Sequence, residues 1–170
     1  PNDYHIIFMG CPTRMHFNLI PMNFIGDKEA AGFWLTGHWS RLAFDEAKNN
    51  KNAYQIPLAT NAYEWQLQDN TAYVYATINE TLEGVRFDPF IKRCKYPVIA
   101  DLTSCLATEV VHIKDYAFIV AGAQKNLGCA GLSVVIVSAA FLDKIKSNNK
   151  IPSYLNYLTY ADANSLCVTP

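Results

Sequence analysis

The chain has 170 residues, of which 51% are hydrophobic, 13% aromatic and 17% charged; that is enough apolar matter for one packed domain and excludes disorder over most of the length. Its 14 basic and 15 acidic residues leave a formal charge of −1, with no run of one sign, which excludes a nucleic-acid surface or a polybasic membrane anchor because either needs concentrated Lys and Arg. No apolar stretch approaches the roughly 20 residues that span a bilayer, and the Pro-Asn-Asp opening lacks the basic-then-apolar order of a secretory signal. The absence of an initiator Met marks a processed chain or a piece of a longer one.

In chain order, Tyr4 to Met9 is β-branched and aromatic throughout and closed by Gly10, which predicts a strand. Arg14 to Phe24 predicts a helix despite Pro21. Ser40 is expected to cap a second helix, SRLAFDEAKNN, with Leu42, Ala43 and Ala47 on one side and charges on the other. Ala72 to Thr77, Pro97 to Leu102, Ala117 to Ala121 and Leu132 to Val137 read as further strands, and Ala139 to Ser147 as a third helix. Most of the strands are apolar at consecutive positions, the pattern of strands covered on both faces. Alternation of such strands with helices predicts an α/β fold: three α/β/α layers around a mostly parallel mixed sheet.

The five cysteines (Cys11, Cys94, Cys105, Cys129, Cys167) are odd in number, widely spaced and without a C-x-x-C pair, so neither a disulfide framework nor a zinc site is expected. Free thiols of this kind suit a reducing cytoplasm. The four histidines show no ligand spacing, and no metal is expected.

In open α/β sheets, sites form beyond the carboxyl ends of the strands. The residues that follow the apolar runs are Gly10 to Arg14, Asn79-Glu80-Thr81, Asp101, and Gln124-Lys125-Asn126. Lys125 follows a buried-looking strand amid small residues; in a half-buried pocket its amine would be freed for Schiff-base formation. Asp101 ends the preceding run. It is read either as a turn cap or as an acid that holds a heterocyclic nitrogen protonated, and a lysine with such an acid is the protein signature of pyridoxal phosphate.

The stretch from Tyr116 to Ser138, with AGAQKN at its centre, resembles the cofactor-lysine segment of phosphoserine aminotransferases, which are fold-type-I pyridoxal-phosphate enzymes. The resemblance continues through Ile20 to Asp27, Thr36 to Ser40, Asn79 to Gly84, Ala100 to Ser104, Pro152 to Tyr157 and Asn164 to Pro170. It implies that Lys125 carries the cofactor as a Schiff base and shuttles the proton, that Asp101 pairs with the pyridinium, that Trp39 stacks on the ring and that Thr81 bonds its phenolic oxygen. It further implies that Gln124 and the amides around Thr13 and Arg14 take the phosphate, and that Thr169 reaches the cofactor of a neighbouring subunit in a homodimer. The implied substrates are phosphoserine, 2-oxoglutarate and glutamate, in serine biosynthesis. Residues 1–170 would form the pyridoxal-phosphate-binding large domain, short at both ends and without its smaller carboxyl-terminal domain.

Three positions depart from the family pattern. Pro12 and its neighbours replace glycines of the phosphate loop, Val168 replaces an asparagine, and Glu109 stands at a usually basic position. Pro12 has no N–H to offer, so weaker cofactor binding is expected. The alternative reading is accordingly a catalytically silent fragment or diverged homologue that acts as a dimerising module.

Overall fold

The computed structural model describes residues 3–58, 65–87, 94–147 and 150–167. Within them, β1 (Tyr4–Met9), α1 (Thr13–Phe24), β2 (Ala30–Trp34), α2 (His38–Asn50), β3 (Ala53–Ile56) and β4 (Thr71–Thr77) come first. The hairpin strands β5 (Asn79–Glu80) and β6 (Val85–Arg86) follow, then β7 (Val98–Asp101), β8 (Phe118–Gly122), β9 (Ser133–Ser138), α3 (Ala139–Leu142) and α4 (Tyr157–Asp162). Seven strands form one sheet in the order β1-β9-β8-β7-β4-β2-β3. Only β9 runs against the rest: it is antiparallel to both β1 and β8, while the β8-β7-β4-β2-β3 ladders are parallel. The mostly parallel mixed sheet expected from the consecutive apolar runs is therefore present. Among the described residues no helix is long and apolar enough to cross a membrane.

Period-two alternation sends each strand's side chains to two separate cores. Tyr73 and Tyr75 of β4 pack with Phe17, Leu19 and Ile20 of α1, Ala43 and Ala47 of α2, and Tyr157 and Tyr160 of α4. Val74 and Ala76 face the other way, with Trp34, Val98, Ala100 and Ile119, under Trp65, Leu102, Cys105 and Tyr116. At the β1 edge this second face is bare, and Ile6 and Phe8 are 61% and 50% exposed.

Several boundaries differ from the sequence reading for local reasons. α1 runs straight through Pro21, whose carbonyl accepts the Ile25 amide at 3.1 Å; an interior proline costs about 3 kcal/mol, and burial of eight of the helix's residues offsets it. α2 begins at His38, not at Ser40. Ser40 lies inside the first turn and its hydroxyl reaches back, accepting the amides of Thr36 (2.9 Å) and Gly37 (3.0 Å). The predicted third helix makes one α-turn, capped by Ser138, and tightens to 3₁₀ over Asp143–Ser147. β2, β3 and α4 have no counterpart in the sequence reading. β2 is Ala-Ala-Gly-Phe-Trp, poor in strand formers, and glycine is needed at its centre because a Cβ on Gly32 would meet Ile56 Cδ1 at 2.8 Å and Tyr54 Oη at 2.9 Å.

Candidate functional site

The carboxyl ends of β1, β4, β7 and β8 converge on one cleft of about 260 Å³, lined by Thr13, Arg14, Trp39, Thr77, Thr81, Asp101, Thr103, Gln124 and Lys125 among others. Thr13, Arg14, Trp39, Thr81, Asp101, Gln124 and Lys125, to which the resemblance gave roles, thus border one cavity, whereas Gly10, Cys11, Glu80 and Asn126 at the same strand ends do not line it. Thr169 and Val168 lie outside the described residues.

Asp101 ends β7 and is 5% exposed. Its Oδ1 accepts the Thr103 amide at 2.8 Å, an Asx-type turn, and its Oδ2 lies 3.4 Å from the donating Tyr75 hydroxyl. The turn-cap reading of this residue is realised, and the same carboxyl also lines the cleft. Burial pushes its carboxyl above the ordinary value, hydrogen bonds from Thr103 and Tyr75 oppose the rise, and the Glu80 carboxylate adds to it. Among the described residues the only ion pair joins Arg86 to Glu109, so Asp101 has no cationic partner there. The Thr77 hydroxyl, also on the cleft wall, is buried with no hydrogen-bond partner.

The floor is built by close approach of three elements. The Gly122 amide donates to Thr103 Oγ1 at 3.2 Å, and Thr103 Oγ1 lies 3.3 Å from Thr13 Oγ1. A Cβ on Gly122 would collide with the side chains of Thr13 and Gln124, so only glycine lets β8 close on the start of α1. Pro12 is the N-cap of α1 and no side chain caps that end; Thr13 and Arg14 line the cleft, and their amides have no partner among the described residues. Such an end favours anions. The Cys11 side chain turns away into the core, where its sulfur is 3.4 Å from both His16 Nε2 and Ser133 Oγ.

Lys125 lies in the turn after β8 and is exposed at the cleft rim, as is Gln124. The half-buried setting expected from its small neighbours is absent because residues 124–130 all run along the surface. Trp39, half-buried, forms the opposite wall and its indole N–H donates to Thr81 Oγ1 at 3.0 Å. Thr103, Tyr75, Thr77 and Glu80 belong to this site and carried no role in the sequence reading. Tyr75 sits in an otherwise apolar run with no local signal, whereas Thr103 two places after Asp101 fits the Asx-turn spacing.

An open α/β sheet with one reversed strand, carrying a lysine, a buried acid and an uncapped helix end at its carboxyl edge, belongs to the α/β class whose sites form beyond the carboxyl ends of the strands. The chain belongs to the aminotransferase class-V family, whose profile matches residues 1–165. It is 42% identical over 179 aligned residues to the phosphoserine aminotransferase of Legionella pneumophila (strain Philadelphia 1), covering all of this chain and 49% of that protein. With the phosphoserine aminotransferase of Lysinibacillus sphaericus the identity is 35%, again over 49% of the relative. Among solved structures, a phosphoserine aminotransferase from Bacillus circulans subsp. alkalophilus superimposes with a TM-score of 0.91 at 35% identity, over 100% of this chain and 49% of the other. The pyridoxal-phosphate-bound enzyme from Trichomonas vaginalis gives 0.85 at 31% identity, over 50% of its chain. The chain spans about half the length of the curated relatives it matches.

Proposed function

We propose that this chain is the pyridoxal-phosphate-binding large domain, residues 1–170, of a cytoplasmic phosphoserine:2-oxoglutarate aminotransferase that works as a homodimer. The observation that carries the reading is Asp101: a buried acid with no ion pair among the described residues, on the floor of a cleft whose rim holds Lys125. A carboxylate so placed costs free energy until a positive group reaches it, and a protonated ring nitrogen would supply that charge. The residues therefore fit the cofactor. Pyridoxal phosphate, when bound, supplies an electron sink for the substrate carbon that loses its proton.

The side chains divide the remaining tasks. Lys125 Nζ would hold the cofactor covalently and, when free, would be the base that takes the proton from the substrate carbon. Asp101 keeps the ring nitrogen protonated. Trp39 covers one ring face and excludes water, and Thr81, already accepting from Trp39, has its own O–H left to donate to the phenolic oxygen. The amides of Thr13 and Arg14, the Arg14 guanidinium and Gln124 bind the phosphate. Thr169 reaches the site of the neighbouring subunit. Phosphoserine would donate its amino group and leave as 3-phosphooxypyruvate, and 2-oxoglutarate would accept it and leave as glutamate.

Borohydride reduction of the chain with pyridoxal phosphate, followed by peptide mapping, tests the anchor. A single pyridoxyl group on Lys125, lost in Lys125→Ala, is expected. Label scattered over surface lysines would overturn it and favour the second reading, a silent dimerising module. That reading draws on Pro12, which occupies the α1 N-cap and removes one amide from the phosphate loop.

A further inference from the structure

The N-terminus of α2 is closed from outside the helix. Its first three amides all donate to carboxylates of the β5–β6 hairpin. His38 N–H reaches Glu83 Oε1 at 2.7 Å, Trp39 N–H reaches Glu80 Oε2 at 2.9 Å and Ser40 N–H reaches Glu80 Oε1 at 2.9 Å. The Thr36 hydroxyl adds a third contact to Glu80 at 3.3 Å. Glu80 is fully buried, and a buried carboxylate is stable only when such donors replace its water. The macrodipole of α2 favours negative charge at this end.

Gly37 makes the arrangement possible. A Cβ there would stand 2.7 Å from the Glu83 carboxyl and 2.8 Å from that of Glu80, so a larger residue would force these carboxyls to shift. The hairpin is itself held in place: the Asn79 side chain donates to Ser104 Oγ at 2.7 Å, the Phe87 amide to Ile78 O at 2.8 Å, and Arg86 pairs with Glu109. Trp39 is consequently tied to the hairpin twice, by its amide to Glu80 and by its indole to the adjacent Thr81 at 3.0 Å.

We propose that Glu80 is a positioning residue of the cleft: by capping α2 from the β5–β6 hairpin, it fixes the Trp39 indole and the Thr81 hydroxyl as one rigid wall. This role rests on the proposed cofactor site for its purpose, but the capping itself belongs to the unliganded chain and is tested there. The readouts are the three tryptophan indole N–H resonances of ¹⁵N-labelled protein, amide exchange at residues 38–40, and a pyridoxal phosphate titration.

In Glu80→Ala the Trp39 indole resonance, assigned by its loss in Trp39→Phe, should shift and broaden while those of Trp34 and Trp65 hold. The Trp39 and Ser40 amides should exchange about ten-fold faster or more, the loss expected for hydrogen bonds to a charged acceptor. Pyridoxal phosphate affinity should fall in step. Glu80→Gln, with one acceptor oxygen left, should lie between, and Glu83→Gln should free only the His38 amide. If Glu80→Ala does not fold, Gly37→Ala must reproduce the same local signature. An unmoved Trp39 indole with unchanged exchange at 39 and 40 overturns the proposal, as does an equal shift of all three indoles. A wild-type chain that binds no pyridoxal phosphate overturns the cofactor reading alone, and the resonance and exchange results still decide the role of Glu80.

Discussion

Two helices begin on the same rim of the sheet and their ends are treated in opposite ways. At α2 all three leading amides are consumed by the carboxylates of Glu80 and Glu83. At α1 the N-cap is a proline, no side chain caps, and the amides of Thr13 and Arg14 are left to the cleft. Helix ends carry the same partial positive charge in both cases, so the difference lies in what the surrounding chain supplies. A saturated end is a fixed wall, and an open one is a place for an anion. An uncapped helix must be held in some other way, and α1 is held from its side. His16, wholly buried in its second turn, lies 2.6 Å from the Tyr157 hydroxyl through Nδ1 and 2.7 Å from Ser133 Oγ through Nε2. Those contacts link α1 to α4 and β9 while leaving its amides untouched.

The contrast can be broken most severely at His16. His16→Ala would open a cavity and strand two hydroxyls, a cost of about 3–5 kcal/mol, read as a large drop in the denaturation midpoint. The same residue sets an acid limit. Burial pushes the His16 imidazole down to about 3, below its ordinary 6.5, so the unfolded chain takes up the proton first as pH falls. Its contribution to stability is whole above that ordinary value and drains away between it and about 3. Thermal melts from pH 7 to pH 4 should therefore show a shallower decline for His16→Gln than for wild type, and parallel curves would rule this out.

The open end of α1 can be tested by closing it. Thr13→Asp sets a carboxylate where the amides now face the cleft, and a pyridoxal phosphate titration should show affinity lower by about ten-fold or more. Unchanged affinity would mean that the phosphate does not sit on α1. The smallest effect concerns the floor. Burial holds the Asp101 carboxyl above its ordinary range, so in the unliganded chain the cost of its charge grows as pH rises from the ordinary value and is complete above the raised one. Below the ordinary value there is no such cost. Asp101→Asn should accordingly melt a few degrees higher than wild type at pH 8, with the gain disappearing toward pH 4. Calorimetry of both proteins without cofactor checks the sign.

How much of this was legible in the chain itself varies by residue. β1 matched residue for residue, since Tyr-His-Ile-Ile-Phe-Met offers no competing reading. β2 was invisible because two alanines and a glycine form a strand there only under the weight of Tyr54 and Ile56 from β3. Lys125 and Asp101 were legible as residues that follow apolar runs, but the exposure of Lys125 was not, because small neighbours describe a turn equally well on the surface or beneath it. Glu80 read only as one of the residues that follow an apolar run. Its task depends on α2, forty residues earlier, and no local pattern carries that pairing.

Sequence alone determined the quantities set by neighbouring residues: which runs are apolar on both sides and therefore make a parallel sheet, and which polar residues stand at their ends. It also carried the family through AGAQKN and the segments around it. Tertiary structure alone decided which helix end stays open, where His16 finds its two partners, and that Asp101 meets no cation among the described residues. Each of these is a balance of desolvation against hydrogen bonds and charge, and the groups that set the balance arrive from distant parts of the chain.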